Sequence, residues 1–190
     1  MKKLYYYLIG IFLLIISFFF DKEILLFFIK NRIDFLNNIS IFVHHIQGYM
    51  LFLLVLIILL SSNQKKKIIP LIIAFVSYGV LTMLAKSIVL RPRPFAELNF
   101  NILVSEINPN KSFPSGHAAA VSAIIPFFEF NEKLQYFWIF IAVIVSLSRV
   151  YLGVHYLSDV IAGFLLGYLI GDLSIIIYGT IKQKFNHRKV

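Results

Sequence analysis

The amino-acid sequence predicts an all-α, polytopic membrane protein: a six-transmembrane-helix bundle with one amphipathic helix lying at the interface. Three observations carry this expectation. Of 190 residues, 59% are hydrophobic and only 14% charged, against about 25% charged in an ordinary globular domain. The apolar residues are gathered into continuous segments at 4–20, 46–61, 68–90, 115–130, 134–151 and 155–179, and a bilayer crossing needs roughly 20 residues. In hydrocarbon only helices or closed barrels satisfy the backbone, and these runs are far longer than barrel strands.

The elements follow in order. Met1-Lys2-Lys3 ahead of the run Leu4 to Phe20 resembles a signal peptide, but Phe18-Phe19-Phe20 offer no small-residue cleavage site. This run is read as a retained first helix. Segment 21–45 holds a short apolar stretch, Ile24 to Ile29, framed by Asp21, Lys22, Glu23, Lys30, Arg32 and Asp34. It is too short to span and reads as the interfacial helix. Loop 91–114, with Pro92, Pro94 and Pro109 among asparagines, reads as ordered coil or short helical turns. The segment at 115–130 is the marginal span. On the last helix Gly163 and Gly167 continue a four-residue spacing from Asp159, which permits close contact with a neighbouring helix. Gly171 extends the spacing, but glycine is common in membrane helices and it earns no separate reading. Residues 1–190 are read as one membrane-embedded domain.

Composition also excludes. Without cysteine there are no disulfides, thiolate metal sites or cysteine nucleophiles. The net charge of +9 does not indicate a nucleic-acid partner, because the basic residues fall in short groups between apolar spans. With six spans, the side bearing the termini holds Lys2, Lys3, Lys65, Lys66, Lys67, Lys133, Lys182, Lys184, Arg188 and Lys189. The other side holds Lys22, Lys30, Arg32, Lys86, Arg91, Arg93, Lys111 and Arg149. Setting aside Lys86, Arg91, Arg93 and Arg149 as site candidates leaves ten against four. The positive-inside rule then puts the termini in the cytoplasm and the site on the extracytoplasmic face.

Three stretches carry ionisable residues at the ends of spans: Lys86 to Pro94, Pro114 to His117, and Ser148 to Asp159. The topology brings all three to one face. His155 and Asp159, four apart, share one face of a helix. The carboxylate can hold the Nδ1–H of His155 and leave Nε2 as a nucleophile or base. His117, preceded by Ser115 and the unhindered Gly116, opens another helix and can face His155 as a proton donor. Lys86, Arg93 and Arg149 supply positive charge for two or three anionic oxygens, with Arg91 behind them.

In order and spacing these stretches match the signature of the type 2 phosphatidic acid phosphatase (PAP2) superfamily. Its pattern is Lys, six residues, Arg-Pro; then Pro-Ser-Gly-His; then Ser-Arg, five residues, His, three residues, Asp. Here those are Lys86 with Arg93-Pro94; Pro114-Ser115-Gly116-His117; and Ser148-Arg149 with His155 and Asp159. The motifs cover 86–159. The resemblance implies His155 as phosphoryl-accepting nucleophile, Asp159 as its support and His117 as the acid. It implies Lys86, Arg93, Ser115, Gly116 and Arg149 as holders of the phosphoryl oxygens. It implies no metal and no cofactor, a membrane lipid phosphate as substrate, and no obligate protein partner. The intact Pro-Ser-Gly-His favours a phosphatidylglycerophosphate-like or broad-specificity enzyme. Undecaprenyl-diphosphate and lipid A phosphatases are the alternatives. A non-enzymatic anion transporter would need polar residues through the lower halves of the third and fifth spans, and these are apolar. A lipid-binding protein would have no need of both His155 and His117.

Overall fold

The computed structural model describes residues 2–45, 48–105 and 108–187. Arg188 and Lys189 of the charge count, and residues 46–47 of the second apolar segment, lie outside the described residues. The helices run α1 (Lys2–Lys30), α2 (Asp34–His45), α3 (Gly48–Ser61), α4 (Ile68–Val89), α5 (Pro94–Leu98), α6 (Gly116–Ser122), α7 (Glu132–Tyr151) and α8 (Leu157–His187).

The all-α, multi-pass membrane architecture stands, but six spans do not. Among the described residues, three helical segments are long and apolar enough to cross a bilayer: Lys65–Leu98, Glu132–Tyr151 and Leu157–Lys184. A fourth exists only if Asp34–His45 and Met50–Ser61, bent by 71° from one another, count as one span. The segment at 115–130 fails because α6 has seven residues and gives way to a 3-10 turn at Ile125–Phe128, leaving it short of a bilayer's thickness. The expected interfacial helix at 24–29 is also corrected. α1 continues unbroken through Asp21, Lys22 and Glu23 to Lys30, and Leu25 is fully buried. A helix does not stop at charged residues when its next turn finds a packing partner.

Local signals set the remaining boundaries. α4 ends at Leu90, in the left-handed conformation, just ahead of Arg91-Pro92; proline disfavours helix in the residue before it. Pro94 stands in the first turn of α5, where its missing N–H is harmless. The Asn131 side chain caps α7 by accepting from Leu134 N at 3.2 Å.

α8 packs against α1, α4, α6 and α7. Its contact with α6 is backbone on backbone. A Cβ at Gly163 would strike Ser115 O, one at Gly167 would strike Ala119 O, and one at Gly171 would strike Ala123 O. The glycine stripe therefore works as expected at Gly163 and Gly167, and Gly171 belongs to it as well. Trp138 Nε1 donates to Val121 O at 2.8 Å and ties α7 to α6. α1 runs antiparallel to α8, with Tyr7 beside Tyr168 at one end and Asp21 bonded to Ser158 at the other.

Candidate active site

The turn between α7 and α8 builds one wall. Gly153 takes a φ of +79°, which favours glycine. The chain doubles back so that both Val154 N and His155 N donate to Arg149 O. His155 lies just ahead of α8, not within it as the four-residue spacing suggested, while Asp159 sits in the first turn. Asp159 Oδ2 accepts from Tyr156 N at 2.9 Å. Its separation from His155 Nδ1 is 3.5 Å, and Ser112 stands beside both: its hydroxyl donates to Asp159 Oδ2 and lies 3.4 Å from His155 Nδ1.

These contacts fix the tautomer. The single hydroxyl hydrogen of Ser112 goes to the carboxylate, so toward Nδ1 the serine oxygen accepts and Nδ1 carries the proton. On the other side of the ring Arg93 Nη1 lies 3.4 Å from Nε2. A guanidinium only donates, so Nε2 presents its lone pair. Arg93 is itself fixed by Nη1 to Val154 O at 3.0 Å and Nε to Asn108 O at 2.9 Å. Lys86 Nζ reaches Lys111 O at 2.6 Å and Ser112 O at 3.2 Å.

The opposite wall is the start of α6. Ser115 N donates to Asp159 O at 2.9 Å and the Ser115 hydroxyl accepts from Ala118 N, so this residue docks α6 onto α8 and caps α6. A Cβ at Gly116 would meet no protein atom; the space beside it is open for a ligand. Burial, with Arg93, Lys86 and Arg149 nearby, holds the His155 imidazole well below its ordinary titration range. Burial, with Arg149, His155, His44 and Arg93, does the same for His117. Both rings are neutral at pH 7. Arg93 and Arg149 act on both rings, and Lys86 acts on that of His155. Lys86, Arg93, Arg149, His117, His155 and Asp159 lie at this end of the bundle, with Ser115 and Gly116 at the start of α6.

Arg91 lies behind them, and the structure gives it a definite task. Its Nη1 meets Asp159 Oδ1 and its Nη2 meets Asp21 Oδ2, each at 2.7 Å, so it braces the far side of Asp159 from α1. Asp21 also accepts from Ser158 N at 2.9 Å and from Ser158 Oγ at 2.5 Å. Asp21, Ser112 and His44 are absent from the sequence expectations. A carboxylate closing an apolar run was a signal for Asp21, and Ser112 lies two residues before Pro114. Nothing in the pattern marked His44.

A PAP2 superfamily profile matches residues 67–183, well over half the chain. The chain belongs to the PAP2 superfamily. It is 34% identical to an undecaprenyl-diphosphatase of Sulfolobus acidocaldarius over 95% of this chain and 94% of that one. With phosphatidylglycerophosphatase B of Bacillus subtilis it shares 38% identity over 112 residues, 53% of this chain and 52% of that one. Among solved structures, Aquifex aeolicus LpxE superposes with a TM-score of 0.71 at 29% identity, covering 80% of this chain and 93% of that one. The first transmembrane PAP2-type phosphatidylglycerolphosphate phosphatase from Bacillus subtilis superposes at 0.68 with 30% identity, covering 90% and 94%. The chain is a membrane phosphatase of this superfamily. Among its described residues no group of three or more His, Cys, Asp or Glu side chains could hold a metal ion.

Proposed function

We propose that the chain hydrolyses a prenyl-lipid diphosphate, undecaprenyl diphosphate first among the candidates, through a phosphohistidine on His155. The observation that carries the chemistry is the lone pair of His155 Nε2 beside Arg93, with Lys86, Arg149 and His117 around the same space. Nε2 attacks the terminal phosphorus as the bridging P–O bond breaks, and His117 gives a proton to the departing lipid monophosphate. Water then attacks the phosphohistidine, His117 takes its proton, and the N–P bond breaks to release inorganic phosphate. Lys86, Arg93 and Arg149 hold the equatorial oxygens, on which charge accumulates in both steps.

Two considerations favour a diphosphate over the phosphatidylglycerophosphate-like reading of the sequence. By sequence, a relative matched along 94% of its length at 34% identity is an undecaprenyl-diphosphatase, whereas the phosphatidylglycerolphosphate phosphatase structure, also covered to 94%, is 30% identical. The second is electrostatic. Burial, with Arg149 and Arg93, keeps His117 deprotonated, so a general acid needs anionic charge from its substrate to recover its proton, and a diphosphate brings more of it.

Orientation follows from which end of the bundle holds the site. Lys65, Lys66 and Lys67 precede α4, Lys133 opens α7, and Lys182 and Lys184 close α8, all at the ends remote from His155. By the positive-inside rule those ends are cytoplasmic and the site opens on the other face. The test is phosphate release by purified protein, with EDTA, from undecaprenyl diphosphate, phosphatidylglycerophosphate, phosphatidic acid and lipid A. Undecaprenyl diphosphate is expected to give the highest kcat/KM; a higher value for phosphatidylglycerophosphate would return the assignment to the monophosphate reading.

A further inference from the structure

A third histidine reaches this site from outside all three motifs. His44 lies on α2, and its Nδ1 is 2.7 Å from Arg149 Nη1. Its ring also stacks on that of His117, with centroids 5.9 Å apart and planes at 24°. Arg149 is wholly buried at the end of α7, and a buried guanidinium must be held by hydrogen bonds in a definite plane. Because a guanidinium cannot accept, Nδ1 of His44 accepts from it, and the ring is the neutral Nε2–H tautomer.

The helix that carries His44 is itself locked to the same end of α7. Tyr151 Oη donates to Asn37 Oδ1 at 2.9 Å and accepts from Ile33 N at 3.0 Å. Arg32 Nη2 donates to Tyr151 O at 3.1 Å and to Leu152 O at 2.9 Å. Asn37 and His44 are seven residues apart, two turns of helix, and so share a face; that face meets Tyr151 and Arg149 on α7. α2 is thus registered against the turn that carries His155, and it delivers one imidazole to the arginine and to the ring of His117 together.

We infer that His44 is a positioning residue of the phosphatase site: it sets the plane of Arg149 for the phosphoryl oxygens and holds His117 at its stacking distance. This rests on the phosphatase reading for its kinetic consequence, but not for its binding consequence. Asparagine offers an acceptor near the position of Nδ1, and alanine offers none, so His44→Asn and His44→Ala separate the hydrogen bond from the bulk of the ring.

The test compares wild type, His44→Ala and His44→Asn in detergent by phosphate release from undecaprenyl diphosphate, by orthovanadate binding and by thermal unfolding. His44→Ala is expected to lose about 10- to 100-fold in kcat/KM, the range for a hydrogen bond to a charged group. Orthovanadate binding should weaken in parallel, and His44→Asn, which restores the acceptor but not the stacked ring, should recover part of both. Variants both within twofold of wild type would overturn the inference. So would equal losses in both variants that track a lowered unfolding temperature, since that is the mark of a purely structural histidine. If wild type releases no phosphate from any lipid yet binds orthovanadate more tightly than His44→Ala, the proposed reaction fails while the positioning role stands. Orthovanadate bound equally by wild type and His44→Ala would overturn the positioning role whatever the substrate.

Discussion

Gly167→Ala, compared with Gly179→Ala on the same helix, isolates the contact that holds the two walls of the site together. At Gly167 the new methyl would strike Ala119 O and lie 2.7 Å from Ala119 C, both backbone atoms of α6 that cannot rotate away. At Gly179 it would meet nothing within 4 Å. Alanine is favoured over glycine within a helix by about 1 kcal/mol, a backbone preference that applies both at buried Gly167 and at exposed Gly179. At Gly167 it is opposed by overpacking of about 1–3 kcal/mol. Relief requires α6 and α8 to separate by roughly 1 Å, and because His117 rides on α6, such a misplacement can cost about 100-fold in rate. The assay is phosphate release alongside thermal inactivation in the same detergent. Gly179→Ala should match wild type in rate, while Gly167→Ala should lose about two orders of magnitude and unfold at lower temperature. Equal rates and equal stability for the two variants would refute the backbone contact as the element that sets His117 against His155.

Ser112→Ala removes the group that directs the Nδ1 proton of His155 and one hydrogen bond to Asp159; kcat should fall about 10- to 100-fold with the fold intact by circular dichroism. Asp21→Asn halves the charge holding Arg91, and should lower the unfolding temperature and weaken kcat without changing which lipid is preferred in the substrate panel. His155 and His117 are both held neutral in the folded protein, while in the unfolded chain they titrate near 6.5. As pH falls the unfolded state therefore binds protons first, so this contribution to stability is full above about pH 7 and is lost as pH drops below 6.5. Thermal unfolding between pH 8 and 5 checks the direction, and a midpoint that rises on acidification would contradict it.

The sequence spoke most clearly where chemistry fixes both residue type and spacing. Lys86, Arg93, Ser115, Gly116, His117, Arg149, His155 and Asp159 were legible because phosphate binding and histidine chemistry tolerate few substitutes. The glycine stripe was legible because small residues at four-residue spacing have one strong use between membrane helices. The spans were misjudged because hydropathy records what is apolar and not what is continuous: residues 115–130 are apolar throughout, yet break into α6 and a 3-10 turn. Conversely, Asp21-Lys22-Glu23 looked like an end and is mid-helix, since Asp21 finds Arg91 and Ser158. His44 was invisible because its partner is 105 residues away, and no local pattern records a contact of that kind.

The account turns on covalent transfer to one nitrogen. Protein mixed with excess lipid diphosphate, quenched within a single turnover at alkaline pH where phosphohistidine survives, and digested for mass spectrometry locates the phosphoryl group directly. The account predicts it on His155, absent from His155→Ala, which also ceases to release phosphate. A phosphoryl group on another residue, or undiminished turnover by His155→Ala, would contradict it.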